Sequence, residues 1–153
     1  MKTTYLVAAL GAAFAAGLGA ARYAPQAQAQ QSPPALEAKI INLAEMTDEQ
    51  IGPLVNNSDL RSRLLGATEH GTISVQSGNV FKHNHPNTHE IQYIIAGSGS
   101  FWLGDKEVQV KPGDLIIIPK GVNHAGSKAT TGRFKAIAFK MPPQAPTDTV
   151  RVD

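Results

Sequence analysis

The sequence predicts an all-β domain, a barrel or sandwich of short strands. Three observations predict it. From Arg63 onward, runs rich in β-branched and aromatic residues recur, separated by Gly, Pro, Asn and Asp. The runs are short and evenly spaced, which is the pattern of a closed or two-layered β fold. Helical signals are confined to one short stretch before them, and no internal repeat divides the 153 residues, so one domain is expected.

The chain opens on a segment that stands apart from that fold. Lys2 precedes the uncharged run "TTYLVAALGAAFAAGLGAA", and Ala27-Gln28-Ala29 supplies a small-x-small cleavage site. A positive start, an apolar middle and such a site describe a secretory signal peptide over residues 1–29, and hence a periplasmic or secreted protein with no membrane attachment after cleavage. The apolar run is also about long enough to cross a bilayer, so an uncleaved membrane anchor is the rival reading. Arg22 stands alone, and nothing points to a twin-arginine route. Residues 30–36 read as a polar, Pro-containing linker, and 37–142 as the β domain.

Composition narrows the function. Lys2 and Arg22 both fall in the leader, so the 14 basic residues drop to 12 and balance the 12 acidic ones. A near-neutral mature chain has no electrostatic claim on nucleic acid or anionic lipid. With no cysteine, a disulfide framework, thiolate catalysis and Cys-based zinc sites are all excluded. Any metal would rest on His, carboxylate or water. Ser98 and Ser100 sit in a Gly-Ser turn with no base beside them, so no separate nucleophile is read.

Along the domain, "AKIINL" reads as a short strand. "MTDEQIGPLV" carries a helix start, with Thr47 as N-cap, Gln50 three residues on, and Asp48 and Glu49 in the first turn; Pro53 keeps the helix short. The strands follow: "RLLGA", "GTISVQ", "NVFKHNH", "HEIQYIIAG", "SGSFWLG", "KEVQVKPG", "DLIIIPKG" and "GRFKAIAFK". Gly104-Asp105 between two extended runs marks a hairpin, and "LIII" reads as a buried strand. The tail, 143–153, is Pro-rich and is expected to be loose or to add an edge strand to a partner subunit.

Within this frame, "KHNHPNTHEIQYIIAG" gathers three of the five histidines and a glutamate. His83 and His85 are two apart, so on a strand they leave the same face, with Phe81; Lys82 and Asn84 point away. Two imidazoles buried side by side are costly without a partner, and a metal ion is the simplest one. Pro86-Asn87 is turn chemistry that can return Glu90 to the same interior. Alternation then sends Gln92 and Ile94 inward and Ile91 and Tyr93 outward. In "GDLIIIPKGVNH", Gly113-Asp114 and "PKG" make two turns that deliver His124 to the start of the next strand.

These two stretches resemble the cupin motifs. His83, His85, Glu90 and Gly97 fill the first: His-x-His, four residues, Glu, six residues, Gly. Gly113, Pro119, Gly121 and His124 fill the second: Gly, five residues, Pro-x-Gly, two residues, His. There are two departures, neither at a ligand position: Gly78 precedes His83 by five residues instead of six, and Lys128 replaces the asparagine that often ends the second motif. The resemblance implies a single-domain cupin, a double-stranded β-helix or jelly-roll barrel with a short N-terminal helix. It also implies one divalent transition metal held by His83, His85, Glu90 and His124. Three imidazoles and a carboxylate suit iron(II) or manganese(II), with nickel, copper and zinc as alternatives. Open coordination positions would admit water, dioxygen or a bidentate small-molecule substrate. A dioxygenase is the leading expectation; a redox-neutral lyase, isomerase or decarboxylase and a non-catalytic ligand-binding cupin are the alternatives.

The remaining side chains receive blander readings. His89 could replace Glu90 as a ligand, but the spacing to Gly97 fits Glu90, so His89 reads as a rim residue and His70 as a surface residue. Gln92 is either an orienting group for ligand or substrate or a buried amide bonded to backbone. Tyr93, Phe101 and Trp102 read as core or subunit-interface packing, and Lys128 and Lys140 as solvated, with a carboxylate held at the barrel mouth by one of them as the alternative. A homodimer is expected, because a short disulfide-free chain gains from burying a sheet face.

Overall fold

The structure, a computed structural model, describes residues 36–55 and 58–153. The leader read over 1–29 and the linker up to residue 35 lie outside the described residues. No helix among the described residues is long and apolar enough to cross a membrane.

One helical turn and eight strands follow in order. They are α1 (Asp48–Ile51), β1 (Arg61–Ala67), β2 (Thr72–Ser77), β3 (His83–Asn84), β4 (His89–Leu103), β5 (Lys106–Val110), β6 (Leu115–Ile118), β7 (His124–Met141) and β8 (Val150–Arg151). All named pairings are antiparallel. β4 and β7 form the longest, and each serves several partners: β4 also pairs β5 and β6, and β7 also pairs β2 and β3. The arrangement is the double-stranded β-helix of the cupin fold.

Two expected strands, "HEIQYIIAG" and "SGSFWLG", are one continuous β4. Register shifts between Ile94 and Gly99 bend it where the sequence turns Gly-rich. Gly97 sits at the bend with φ +78°, and a Cβ there would come within 2.6 Å of the Arg133 carbonyl group, so only glycine fits. Gly78, the displaced glycine of the first motif, has φ +112° and lies against the Asp59 carbonyl, again leaving no room for a Cβ. The Gly104-Asp105 hairpin is as expected, with Leu103 opposite Lys106.

The inward faces of the strands make one core from Ile94, Phe101, Val110, Ile116, Ile118 and Phe134, with small residues between them. Burial of each large side chain contributes about 1.5–3 kcal/mol. α1 is a single turn closed by a capping box: Gln50 N–H donates to Thr47 Oγ1 at 3.3 Å and Thr47 N–H to Gln50 Oε1 at 2.8 Å. It sets Ile51 against Leu65 and Val75 as a second, smaller core.

Three expectations need correction. "AKIINL" forms no strand, and Ile40 is fully exposed; its β-branched residues find no partner strand, and only Leu43 is drawn into the second core. "LIII" is buried on one face only: Ile116 and Ile118 enter the core while Leu115 and Ile117 stay 59% and 62% exposed. The tail does not hang loose. It returns to its own chain as β8, pairing with β3 through His83–Arg151 and Asn84–Val150.

Candidate metal centre

Strand register assembles the centre. His83 on β3 lies opposite His124 at the start of β7. Glu90, second residue of β4, lies opposite Lys140 near the end of β7. His85 follows β3 by one residue, and the bend at Pro86-Asn87 returns the chain to β4, as its turn chemistry predicted. The amide of Gly121, in the second motif's turn, donates to the His85 carbonyl at 2.8 Å and ties the two motifs together.

The four expected ligands, His83, His85, Glu90 and His124, converge. All are buried, and each offers a donor atom within 4.8 Å of the others. The imidazole centroids lie 4.3–5.1 Å apart. Metal–ligand bonds of about 2 Å fit a set of this size.

Backbone carbonyls fix each ring. The Nδ1 atoms of His83, His85 and His124 lie 2.8, 2.6 and 2.9 Å from the carbonyls of Phe81, Asp148 and Val122. A carbonyl only accepts, so each Nδ1 carries a proton and donates it, which leaves the Nε2 lone pairs aimed inward. His85 Nε2 lies 3.0 Å from Glu90 Oε2. His124 Nε2 lies 3.4 Å from the same oxygen, yet makes no hydrogen bond and is wholly buried. Electron pairs gathered this way in a dry site repel unless a cation sits among them. The residues therefore fit a divalent ion, and His124 Nε2 is the orphaned atom such an ion satisfies.

The charge states agree. Burial, reinforced by the neighbouring His124 and His85, lowers the His83 pKa to about 4, so its ring is neutral and ready to ligate at neutral pH. Burial pushes the Glu90 carboxyl up, but the facing His124 and His85 imidazoles, the Lys140 ammonium and the Gln92 amide outweigh it. They hold Glu90 well below the ordinary carboxylate range. Gln92 is inward as expected, and its amide donates to Glu90 Oε1 at 2.8 Å, leaving Oε2 to face the histidines.

His89 stays outside, exposed on the rim, where its Nδ1 accepts from the Lys120 amide at 3.2 Å. His70 is exposed beside Glu69. Phe101 is core, Tyr93 is exposed, and Trp102 stacks under Lys82. Lys128 is exposed, but Lys140 is not the solvated residue expected. Its side chain is 14% exposed, with Nζ 3.6 Å from Glu90 Oε2 and 3.4 Å from His85 Nε2. The signal was there: Phe134, Ala136 and Ala138 alternate inward, and Lys140 is the next step. Gln144 and Asp148 were also missed. Lys140 donates to Gln144 Oε1. Asp148 supplies the carbonyl for His85, while its carboxylate holds Asn87 and Thr88 at the bend.

The centre opens on a cavity of about 330 Å³. Glu90, Gln92 and Lys140 line one part of its wall, and Ile94, Phe101 and Phe134 line another. A divalent ion held by His83, His85, Glu90 and His124 would face this space and could take a ligand from it.

The fold and the centre together define a metal-binding protein of the cupin, double-stranded β-helix class. The AraC-like ligand binding domain matches residues 70–151, more than half of the chain, and the protein belongs to that family. Acireductone dioxygenase of Bacillus cytotoxicus is 32% identical over 108 residues, covering 58% of this chain and 63% of that protein. Acireductone dioxygenase 4 of Arabidopsis thaliana is 39% identical over 51 residues, 30% of this chain and 27% of that protein. Among solved structures, a double-stranded β-helix protein of Klebsiella pneumoniae superposes with a TM-score of 0.60 at 16% identity, over 76% of this chain and 99% of that one. The chain spans between 27% and 63% of the length of the curated relatives it matches.

Proposed function

We propose that the protein is a metal-dependent, dioxygenase-like enzyme acting on a small molecule with neighbouring oxygen atoms. The observation that carries this is the buried, partnerless Nε2 of His124, aimed with three other donors at the end of a cavity. The likeness to two acireductone dioxygenases over the matched segments supports the reaction type. When bound, the ion supplies a Lewis acid and, as iron(II) or manganese(II), a centre for electron exchange with dioxygen.

The chain's own residues do the rest. His83, His85 and His124 present fixed lone pairs, and Glu90 adds one negative charge. Gln92 holds the Glu90 carboxylate in orientation. Ile94, Phe101 and Phe134 exclude water from the cavity beside the centre. The test is oxygen uptake and product analysis on a panel of diketones, catechols and hydroxy acids with iron(II), manganese(II) or nickel(II). Metal-dependent oxygen consumption is expected with iron(II) or manganese(II). Product formed without oxygen would point to a lyase, isomerase or decarboxylase.

The match to a ligand binding domain favours one second reading, a cupin that holds a metal-bound ligand without turnover. Retention of an unaltered ligand through purification would decide for it. We further propose export directed by residues 1–29, testable by N-terminal sequencing of the mature protein. A homodimer completes the proposal. It is supported by the apolar outer face of β4, β6 and β7, where Tyr93, Leu115, Ile117 and Phe139 are exposed, and light scattering tests it.

A further inference from the structure

Lys140 is not one of the metal ligands, yet the fold brings its ammonium to the centre. Cross-strand register with Glu90 places it there, and a bond to Gln144 Oε1 keeps it there. Its other two neighbours are Glu90 Oε2 and His85 Nε2, both donor atoms of the centre. Once an ion takes up the single His85 lone pair, the ammonium keeps Gln144 Oε1 and the Glu90 carboxylate for its three N–H groups. The cavity it adjoins offers no second carboxylate. Among the described residues that line it, Glu90 is the sole carboxylate and Lys140 the sole ammonium. The nearby Asp148 carboxylate is turned to Asn87 and Thr88.

The charge balance points the same way. A divalent ion, one carboxylate, one ammonium and neutral imidazoles leave two positive charges uncompensated in a largely enclosed site. Partly buried charge of one sign calls for an opposite charge from the ligand. The apolar wall of Ile94, Phe101 and Phe134 calls for a short hydrocarbon part.

We propose that Lys140 selects anionic ligands: the site takes a small molecule with a carboxylate or enolate oxygen beside a second oxygen, carrying a short apolar tail, and the anionic oxygen accepts from Lys140 Nζ. This rests on the metal-centre reading above and deepens it by naming the ligand class.

The experiment is calorimetry on the nickel(II)-loaded full chain with two probes, 2-oxohexanoate and hexane-2,3-dione. Both present adjacent oxygens and a short alkyl tail, and only the first is charged. A charge-assisted hydrogen bond predicts roughly tenfold or more tighter binding of the anion. Lys140→Gln should weaken the anion roughly tenfold and leave the dione unchanged, while nickel content, read by mass spectrometry, stays at the wild-type level, and Lys140→Arg should keep most of the preference. Equal affinity of the two probes for the wild-type chain, or an undiminished preference in Lys140→Gln, overturns the inference and leaves the metal centre standing. A chain that takes up no nickel overturns both.

Discussion

The main-chain carbonyl of Asp148 accepts a hydrogen bond from Nδ1 of His85 at 2.6 Å, across 63 residues of sequence. The tail thus orients a metal ligand from behind, and the Asp148 carboxylate pins the bend between His85 and Glu90 through Asn87 and Thr88. Asp148→Ala keeps the carbonyl but removes the carboxylate, which frees the bend and loosens the tail that presents the carbonyl to His85. Groups that orient ligands in this way typically govern about 10–100-fold in metal affinity. Chelator competition should show a loss in that range, and truncation after Pro143 should cost at least as much. An affinity unchanged in either variant would remove the tail from the account.

Ligands and bystanders should separate cleanly. His83→Ala and His124→Ala should each reduce the metal retained from about one ion per chain to roughly a tenth or less, because removing one ligand from a four-donor site strips most of its affinity. His89→Ala and His70→Ala should leave metal content unchanged, since both rings lie outside the centre. Elemental analysis of the four purified variants reads the difference directly.

The metal-free protein should be acid-sensitive in a defined window. The His83 pKa lies at about 4 in the fold, against an ordinary imidazole value of 6.5. Between those values the unfolded chain binds the proton more readily, so stability falls as pH drops from about 6.5 to 4, by on the order of 3 kcal/mol for this group. Glu90 acts in the same direction at lower pH, because its carboxyl is held well below 4.5. Urea titrations of chelator-treated protein at pH 7 and pH 4.5 measure the drop. A flat profile would mean that His83 is not buried as described.

Two glycines offer an internal comparison of backbone strain. Gly97 and Gly104 both have positive φ, but a Cβ at Gly97 would strike the Arg133 backbone and one at Gly104 would meet open space. Gly104→Ala should cost about 1 kcal/mol from conformation alone, and Gly97→Ala roughly 3 kcal/mol or more. Thermal melts of both variants should rank them in that order.

The centre was legible in the sequence because its ligands fill the two motifs that resemble those of cupins, and local rules agree with them. Period-two alternation aligned His83 with His85 and Glu90 with Gln92, and Pro86-Asn87 and "PKG" marked the turns that join them. Lys140 was lost although the same alternation, carried one step past Ala138, would have placed it. An ammonium at the end of a strand looks solvated until the facing strand is known to carry Glu90. Gln144, Asp148 and β8 left no periodic signal. Their contacts run through a main-chain carbonyl and single side chains of a Pro-rich segment, and only the closed structure reveals what they meet. "AKIINL" failed in the opposite way, since β propensity at Ile40 and Ile41 is not enough without a neighbouring strand to pair with.

The most direct test of the central claim is anomalous diffraction, at a metal absorption edge, from crystals of the loaded protein. The account predicts a single strong peak about 2.0–2.3 Å from Nε2 of His83, His85 and His124 and from Oε2 of Glu90. A map with no peak among these four atoms, or with its strongest peak at a surface residue such as His70, would contradict it.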